Sequence, residues 1–236
     1  MRWSKLGFAA FTMSWLGGAS LLAQQAPAAP QARFVVVMDA AHGGDDSGGR
    51  LLNGQPEKAF TLAMSVRLRS LLAVRGIQVV TTRESDQTVE AERRAEITNH
   101  AAAQACLSLH ATESGLGIHL FASSLAPSAN AGGGVRFLAW KTAQSAWVTR
   151  SVALEGDLNS ALLHAGMSVT LGRSSLPVLD SLTCPAVAVE IAPEMSSDKT
   201  VAAELDDPGY QARVAEALAA AIVEWRTEAA RAEAHP

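Results

Sequence analysis

The sequence predicts a single α/β domain built on a twisted, mainly parallel sheet of about six strands, with helices on both faces. The first reason is length, since 236 residues leave room for one core and little more. The second is composition, because 48% hydrophobic and 18% charged residues suit a packed globule rather than a disordered chain. The third is the alternation of short apolar runs with longer helical patterns, which favours crossover connections between parallel strands.

The first half of the folded region gives three strands and two helices in alternation. An apolar, β-branched run predicts a strand at 34–38, and a Gly-rich loop follows it. Apolar residues then recur at helical spacing from 57 to 75, where Gly76 is placed to end the helix. The same criteria predict a strand at 77–81, a helix at 90–103 and a strand at 105–109.

The second half is less regular. A strand is predicted at 117–122, and the Ser/Ala/Gly-rich stretch 123–134 has no periodicity and is predicted as a loop. The remaining elements are an amphipathic helix at 144–165, a buried strand at 186–191 and an Ala-rich helix at 210–230. Helices of this length between the strands are what a parallel arrangement requires.

The N-terminus has the order of regions typical of a secretory signal. Arg2 and Lys5 precede an apolar run from 6 to 22, and small residues and prolines follow. Cleavage fits after Ala23 or after Ala28. An uncleaved membrane anchor is the alternative, because about 17 apolar residues approach the shortest bilayer span. Gly and Ser residues near the end of the run favour cleavage.

These regions divide the chain into a signal peptide at 1–28, a linker at 29–33, a catalytic domain at 34–230 and a C-terminal tail at 231–236. We expect an exported protein of the periplasm or cell envelope, with membrane contact only through the N-terminal segment. The formal charge of −4 offers no basic surface for phosphate backbones, so nucleic acid is excluded as a partner.

Two cysteines, Cys106 and Cys184, lie at the edges of apolar runs predicted as strands. An exported protein can pair them if the fold brings them together. Two buried thiols that pack as small hydrophobes are the alternative. The sequence leaves this choice open.

Two histidines lie at the carboxyl ends of predicted strands. His42 lies in the loop after the first strand, beside Gly43 and Gly44, and His110 ends the third strand. The carboxyl ends of parallel strands line one edge of a sheet, so the two rings can meet there. Glu57, at the start of the first helix, can add a carboxylate, although the helix dipole favours an acid there in any case. Two imidazoles and one carboxylate suit one Zn²⁺ ion with a fourth position open for water.

A further carboxylate, Glu190, ends a buried apolar run at the same sheet edge. An unpartnered buried carboxylate is costly, so Glu190 either serves a catalytic site or forms a salt bridge, for which Arg173 is the candidate. Glu194 competes for the catalytic role but lies beyond the strand, in a predicted polar loop. For three other histidines the sequence shows no partner, and we expect them to be structural or surface residues: His100, His119 and His164.

These residues fall in six fragments whose order and spacing resemble one known family, the zinc-dependent N-acetylmuramoyl-L-alanine amidases of the Amidase_3 type. The resemblance covers most of the chain after the N-terminal segment. The fragments are Val36 to Gly44, Glu57-Lys58, Val79 to Arg83 with Asp86, Arg93 or Arg94 with Ile97 and Asn99, Ser108 to Ala111, and Pro185 to Glu190. Chance is a poor explanation for six fragments in family order.

The resemblance implies a phosphorylase/hydrolase-like fold and an enzyme that cleaves the amide bond between N-acetylmuramic acid and L-alanine in peptidoglycan, for cell wall turnover or daughter-cell separation. It also implies that His42, Glu57 and His110 bind one zinc ion and that Glu190 is the catalytic carboxylate.

The sequence departs from the family after Glu190, where Ile-Ala-Pro at 191–193 replaces the usual Gly-Phe pair and polar turn. Two alternatives therefore stay open. The first is a zinc carboxypeptidase or another cell-wall peptide hydrolase, and the second is a catalytically degenerate wall-binding protein. The sequence does not reveal whether a protein activator is required.

Overall fold

The computed structural model describes residues 33–128 and 139–234. The signal peptide predicted at 1–28 lies outside the described residues, as do the predicted linker up to residue 32 and the loop segment 129–134. Within the described ranges, no helix combines the length and the apolar character needed to cross a bilayer.

A six-stranded sheet forms the centre of the fold. Its strands are β1 (Val35–Ala40), β2 (Gln78–Thr81), β3 (Ala105–Ala111), β4 (Ile118–Ser123), β5 (Val169–Ser174) and β6 (Ala186–Ile191). They lie in the order β2-β1-β3-β6-β4-β5, and every neighbouring pair is parallel except β4 with β6. The prediction of a mainly parallel sheet of about six strands is confirmed.

Helices cover both faces of this sheet, as predicted. They are α1 (Glu57–Ala73), α2 (Ala91–His100), α3 (Val148–His164), α4 (Pro177–Asp180) and α5 (Pro208–Ala234). The larger hydrophobic core lies between one face and α1, α3 and α5, whereas α2 and α4 cover the smaller core on the other face. Burial of these two apolar faces is the main driving force for the fold.

Several elements differ from the sequence prediction. The helix predicted from 144 begins at Val148, because a 3-10 helix at Trp140–Ala146 precedes it and Thr142 has a non-helical φ of −132°. Strand β5 was missed because this edge strand is polar and largely exposed, so its sequence carries no apolar run. A small antiparallel pair, β7 (Glu194–Met195) with β8 (Val201–Ala203), replaces part of the predicted loop after β6.

The two cysteines form a disulfide. Cys106 on β3 and Cys184, just before β6, are joined with their Cα atoms 6.3 Å apart. Both side chains are buried in the smaller core. The parallel register that places Cys106 opposite Ala186 is what brings the two sulfur atoms together.

Candidate metal centre and active site

The loop after β1 presents His42 in an unusual backbone conformation. Its φ is 62°, in the left-handed region that non-glycine residues rarely adopt. Two glycines make the surrounding turn possible. A Cβ on Gly43 would lie 2.4 Å from the Gln87 carbonyl oxygen, and a Cβ on Gly48 would lie 2.5 Å from the His42 ring. The Gly-rich sequence therefore allows this loop to fold tightly around the His42 side chain.

Glu57, the first residue of α1, is 6% exposed and holds both carboxylate oxygens in fixed positions. The backbone N–H of Gly49 donates to Oε2 at 2.8 Å, and that of Ala111 donates to Oε1 at 3.1 Å. Oε2 also lies 3.1 Å from Nε2 of His42, and Oε1 lies 3.2 Å from Nδ1 of His110. The carboxylate is thus oriented between the two imidazole rings.

His110 completes the cluster from the carboxyl end of β3. The rings of His42 and His110 meet edge to face, with centroids 5.5 Å apart. One donor atom from each of His42, Glu57 and His110 lies within 4.8 Å of the other two, and no other such group occurs within residues 33–128 and 139–234. Two imidazole nitrogens and a carboxylate oxygen are donors that zinc prefers, so the residues present fit a single zinc ion.

Neighbouring groups fix which ring nitrogen faces the centre. Asp46 lies 2.8 Å from Nδ1 of His42, which leaves Nε2 directed to Glu57. Ser108 lies 3.4 Å from Nε2 of His110 and itself donates to Asp39 at 2.9 Å. Carboxylate and hydroxyl partners of this kind orient metal-binding histidines and increase their basicity.

The contacts also perturb two pKa values. Burial raises the pKa of the Glu57 carboxyl, but hydrogen bonds from His110, His42 and two backbone amides outweigh burial and leave it far below its usual value. The pKa of His42 is raised, chiefly by its hydrogen bond with Glu57. The centre therefore carries a full negative charge on Glu57 at neutral pH, which favours a cation between the three side chains.

Two buried arginines hold the loop that carries His42. Arg94, on α2, forms a 2.6 Å ion pair with Asp39 and donates to the carbonyl oxygens of Ala40 and His42. Arg83 donates to the carbonyl oxygens of Ala40 and Ala41. These bonds satisfy carbonyl groups that the left-handed turn leaves without backbone partners.

Arg94 and Arg93 give a matched test of this arrangement. We expect Arg94→Met to lower the free energy of unfolding by about 3–5 kcal/mol, because it leaves the buried Asp39 carboxylate unpaired. Arg93 forms an exposed pair with Glu96, so Arg93→Met should cost less than about 1 kcal/mol. Urea unfolding in the presence of a chelator measures both variants without a contribution from bound metal. Equal effects of the two substitutions would contradict the role assigned to Arg94.

Glu190 lies next to the histidine cluster. It is opposite His110 in the parallel register of β3 and β6, and the two residues line the same cavity of about 510 Å³ with Glu57. Its carboxylate accepts a 3.0 Å hydrogen bond from Nδ1 of His119, on the neighbouring strand β4. All four side chains predicted for the site are therefore brought to one edge of the sheet.

The remaining candidates are placed as follows. Glu194 lies in β7 rather than in a loop and pairs with Arg213 at 2.6 Å. Arg173 donates to the Ser123 carbonyl, so the salt bridge considered for Glu190 is not formed. His100 and His164 are exposed, as expected, and contact carbonyl groups of their own helices.

His119, for which the sequence pattern shows no partner, contacts Glu190 in the structure. Its partner Glu190 is 71 residues away in sequence. Only the antiparallel pairing of β4 with β6 shows that they are neighbours.

A second cavity, of about 380 Å³, is lined by both His42 and His110. Its apolar lining comes from Val89 and Ala91, near the start of α2, and from residues 176–179 around α4. The cluster of His42, Glu57 and His110 therefore borders both cavities. Cavities that share a wall in this way can hold an extended substrate beside the cluster.

Known proteins resemble this chain in both sequence and fold. A family model described as N-acetylmuramoyl-L-alanine amidase (Amidase_3) matches residues 36–224. The N-acetylmuramoyl-L-alanine amidase AmiA of Escherichia coli (strain K12) is 34% identical over 117 residues, which cover 45% of this chain and 40% of AmiA. The germination-specific N-acetylmuramoyl-L-alanine amidase of Bacillus subtilis (strain 168) is 25% identical over 220 residues, 84% of this chain and 82% of that protein.

Among solved structures, the catalytic domain of the amidase CwlV from Bacillus (Paenibacillus) polymyxa var. colistinus is similar with a TM-score of 0.62 and 25% identity. That similarity covers 82% of this chain and 98% of CwlV. The family match includes His42, Glu57, His110 and Glu190, since all four lie between its limits. The chain therefore belongs to the N-acetylmuramoyl-L-alanine amidase (Amidase_3) family.

Proposed function

We propose that this chain is a zinc-dependent amidase that hydrolyses the bond between the lactyl group of N-acetylmuramic acid and L-alanine in peptidoglycan. The observation that supports this most directly is the convergence of donor atoms from His42, Glu57 and His110 within 4.8 Å. Glu190 lines the same cavity as Glu57 and His110 and is available as an acid and base. Family membership supplies the substrate class.

The chemistry requires a nucleophile near neutral pH and stabilisation of negative charge on the amide oxygen. When bound by His42, Glu57 and His110, zinc lowers the pKa of a water ligand to about 7 and polarises a carbonyl oxygen as a Lewis acid. Asp46 and Ser108 hold the two rings so that the correct nitrogen of each faces the centre.

Glu190 carries the proton transfers in this proposal. Its carboxylate takes a proton from the attacking water, holds it, and then donates it to the nitrogen of L-alanine as the amide bond breaks. The products are a peptide with a free amino terminus and a glycan whose lactyl group has become a carboxylate. Water supplies the atoms gained by both products, so no other reactant is needed.

We further propose the cellular setting. Residues 34–230 act as the catalytic domain, and the N-terminal segment directs the chain to the periplasm or cell envelope, where peptidoglycan is accessible. The reaction there serves wall turnover or the separation of daughter cells.

Product analysis tests the proposed bond. Purified protein is incubated with isolated peptidoglycan, and the released fragments are identified by mass spectrometry. We expect intact stem peptides that begin with a free L-alanine amine, and a glycan without peptide, and we expect a chelator to abolish both. Free D-alanine from the end of the stem would indicate the carboxypeptidase alternative, and intact walls would indicate the degenerate wall-binding alternative.

A further inference from the structure

Three side chains form a continuous row across the sheet at the candidate active site. His110 on β3 is opposite Glu190 on β6, and Glu190 is opposite His119 on β4. Residues in register on neighbouring strands point to the same face and lie about 5 Å apart. The proposed metal ligand His110 and His119 therefore flank Glu190 on its two sides.

The contact between His119 and Glu190 is specific. Nδ1 of His119 lies 3.0 Å from Oε1 of Glu190, and Nε2 lies 3.3 Å from the Leu116 carbonyl oxygen. Oε2 of Glu190 has no donor among the residues that the structure describes. One carboxylate oxygen is thus held, and the other is left to exchange a proton.

The ring of His119 has little freedom to move. Its side chain is 16% exposed, compared with 35% for Glu190. A Cβ on Gly115 would lie 3.0 Å from Cε1 of the ring, so the turn before β4 packs directly against the ring edge. A side chain that is mostly buried and packed against the backbone can fix the position of a more exposed carboxylate.

We propose that His119 is a positioning residue that orients the Glu190 carboxylate for proton transfer, an inference that rests on the proposed amidase function. A base must stay within hydrogen-bond reach of the water that it deprotonates, and a misplacement of about 1 Å can cost 10²-fold in rate. Glu190 lies near the end of a strand with a third of its side chain exposed, so its own packing fixes it incompletely. The N–H of His119 supplies the missing constraint.

Substitutions of His119 by residues whose side-chain amides reach different positions test this role. Asn places a donor where Nδ1 of His119 lies, Gln extends its donor to where Nε2 lies, and Leu removes both. We expect kcat to fall by roughly 10²-fold in His119→Leu and His119→Gln, with KM and zinc content little changed. His119→Asn should recover most of the lost rate. His100→Leu, at an exposed histidine, is the control and should match the wild type.

A second measurement separates positioning from a general loss of packing. In the Glu190→Gln background, His119→Leu should cause no further fall in kcat, because residues that act as one unit are non-additive. If His119→Leu does not fold, the comparison of Asn with Gln still decides the question.

The inference is overturned if Asn and Gln have equal kcat values, or if the loss appears in KM alone. It is also overturned if the effects of the Glu190 and His119 substitutions multiply. Failure of the wild type to release stem peptides would instead overturn the proposed function.

Discussion

The Glu190→Gln protein and the wild type are each expected to bind one equivalent of zinc, and the variant is expected to hydrolyse peptidoglycan about 10²–10⁴-fold more slowly. Glutamine has the shape of glutamate, and its carbonyl oxygen can still accept the hydrogen bond from His119. It cannot take a proton from water at neutral pH. The substitution is therefore expected to remove the proton transfer and to leave the three proposed metal ligands in place.

Glu194→Gln is the matched control for this experiment. Glu194 lies only four positions further along the chain, but its carboxylate pairs with Arg213 rather than with His119. We expect this variant to retain the activity of the wild type. Release of stem peptides and zinc content are measured on the same preparations. Full activity in Glu190→Gln, or equal losses in both variants, would remove Glu190 from the reaction.

The second large effect is expected at the two histidines. His42→Ala and His110→Ala each leave two of three proposed ligands, so we expect zinc affinity to fall by more than about 100-fold and activity to be lost with it. Elemental analysis after dialysis measures the metal, and stem-peptide release measures the activity. His100→Ala and His164→Ala, at exposed helix positions, should retain one equivalent of zinc. Stoichiometric zinc in His42→Ala or His110→Ala would show that the metal is bound elsewhere.

Much of the central sheet could be predicted from the sequence because its strands are short apolar runs between helices. The segments around β1, β3 and β6 are buried apolar runs that clearly predict strands. Each has a residue of the candidate site at or just beyond its carboxyl end. Histidines at the ends of two parallel strands were expected to meet, and the structure brings His42 and His110 together. Local pattern was sufficient here because the carboxyl ends of parallel strands share one edge.

The pairing of His119 with Glu190 could not be predicted, because it depends on strand order. β4 inserts antiparallel between β6 and β5, and no local feature of its sequence specifies those neighbours. β5 itself is a polar edge strand, so its presence was not expected either. The strand at 117–122 is predicted from the sequence, but its place in the sheet is not, so the sequence leaves His119 with no visible partner.

The choice between Arg93 and Arg94 was open for a similar reason. The two residues are adjacent on α2, and helical periodicity in a charged segment does not show which one faces the sheet. In the structure, Arg94 is buried against Asp39 while Arg93 is exposed. The pairing of the cysteines could not be predicted either, because it depends on the register in which β3 aligns with β6.

Anomalous diffraction from crystals grown with zinc tests the central claim most directly. We predict one strong peak at the zinc absorption edge, about 2.0–2.2 Å from Nε2 of His42, from Nδ1 of His110 and from a carboxylate oxygen of Glu57. A peak bound by other side chains, or no peak in crystals of protein that still releases stem peptides, would contradict the proposed centre.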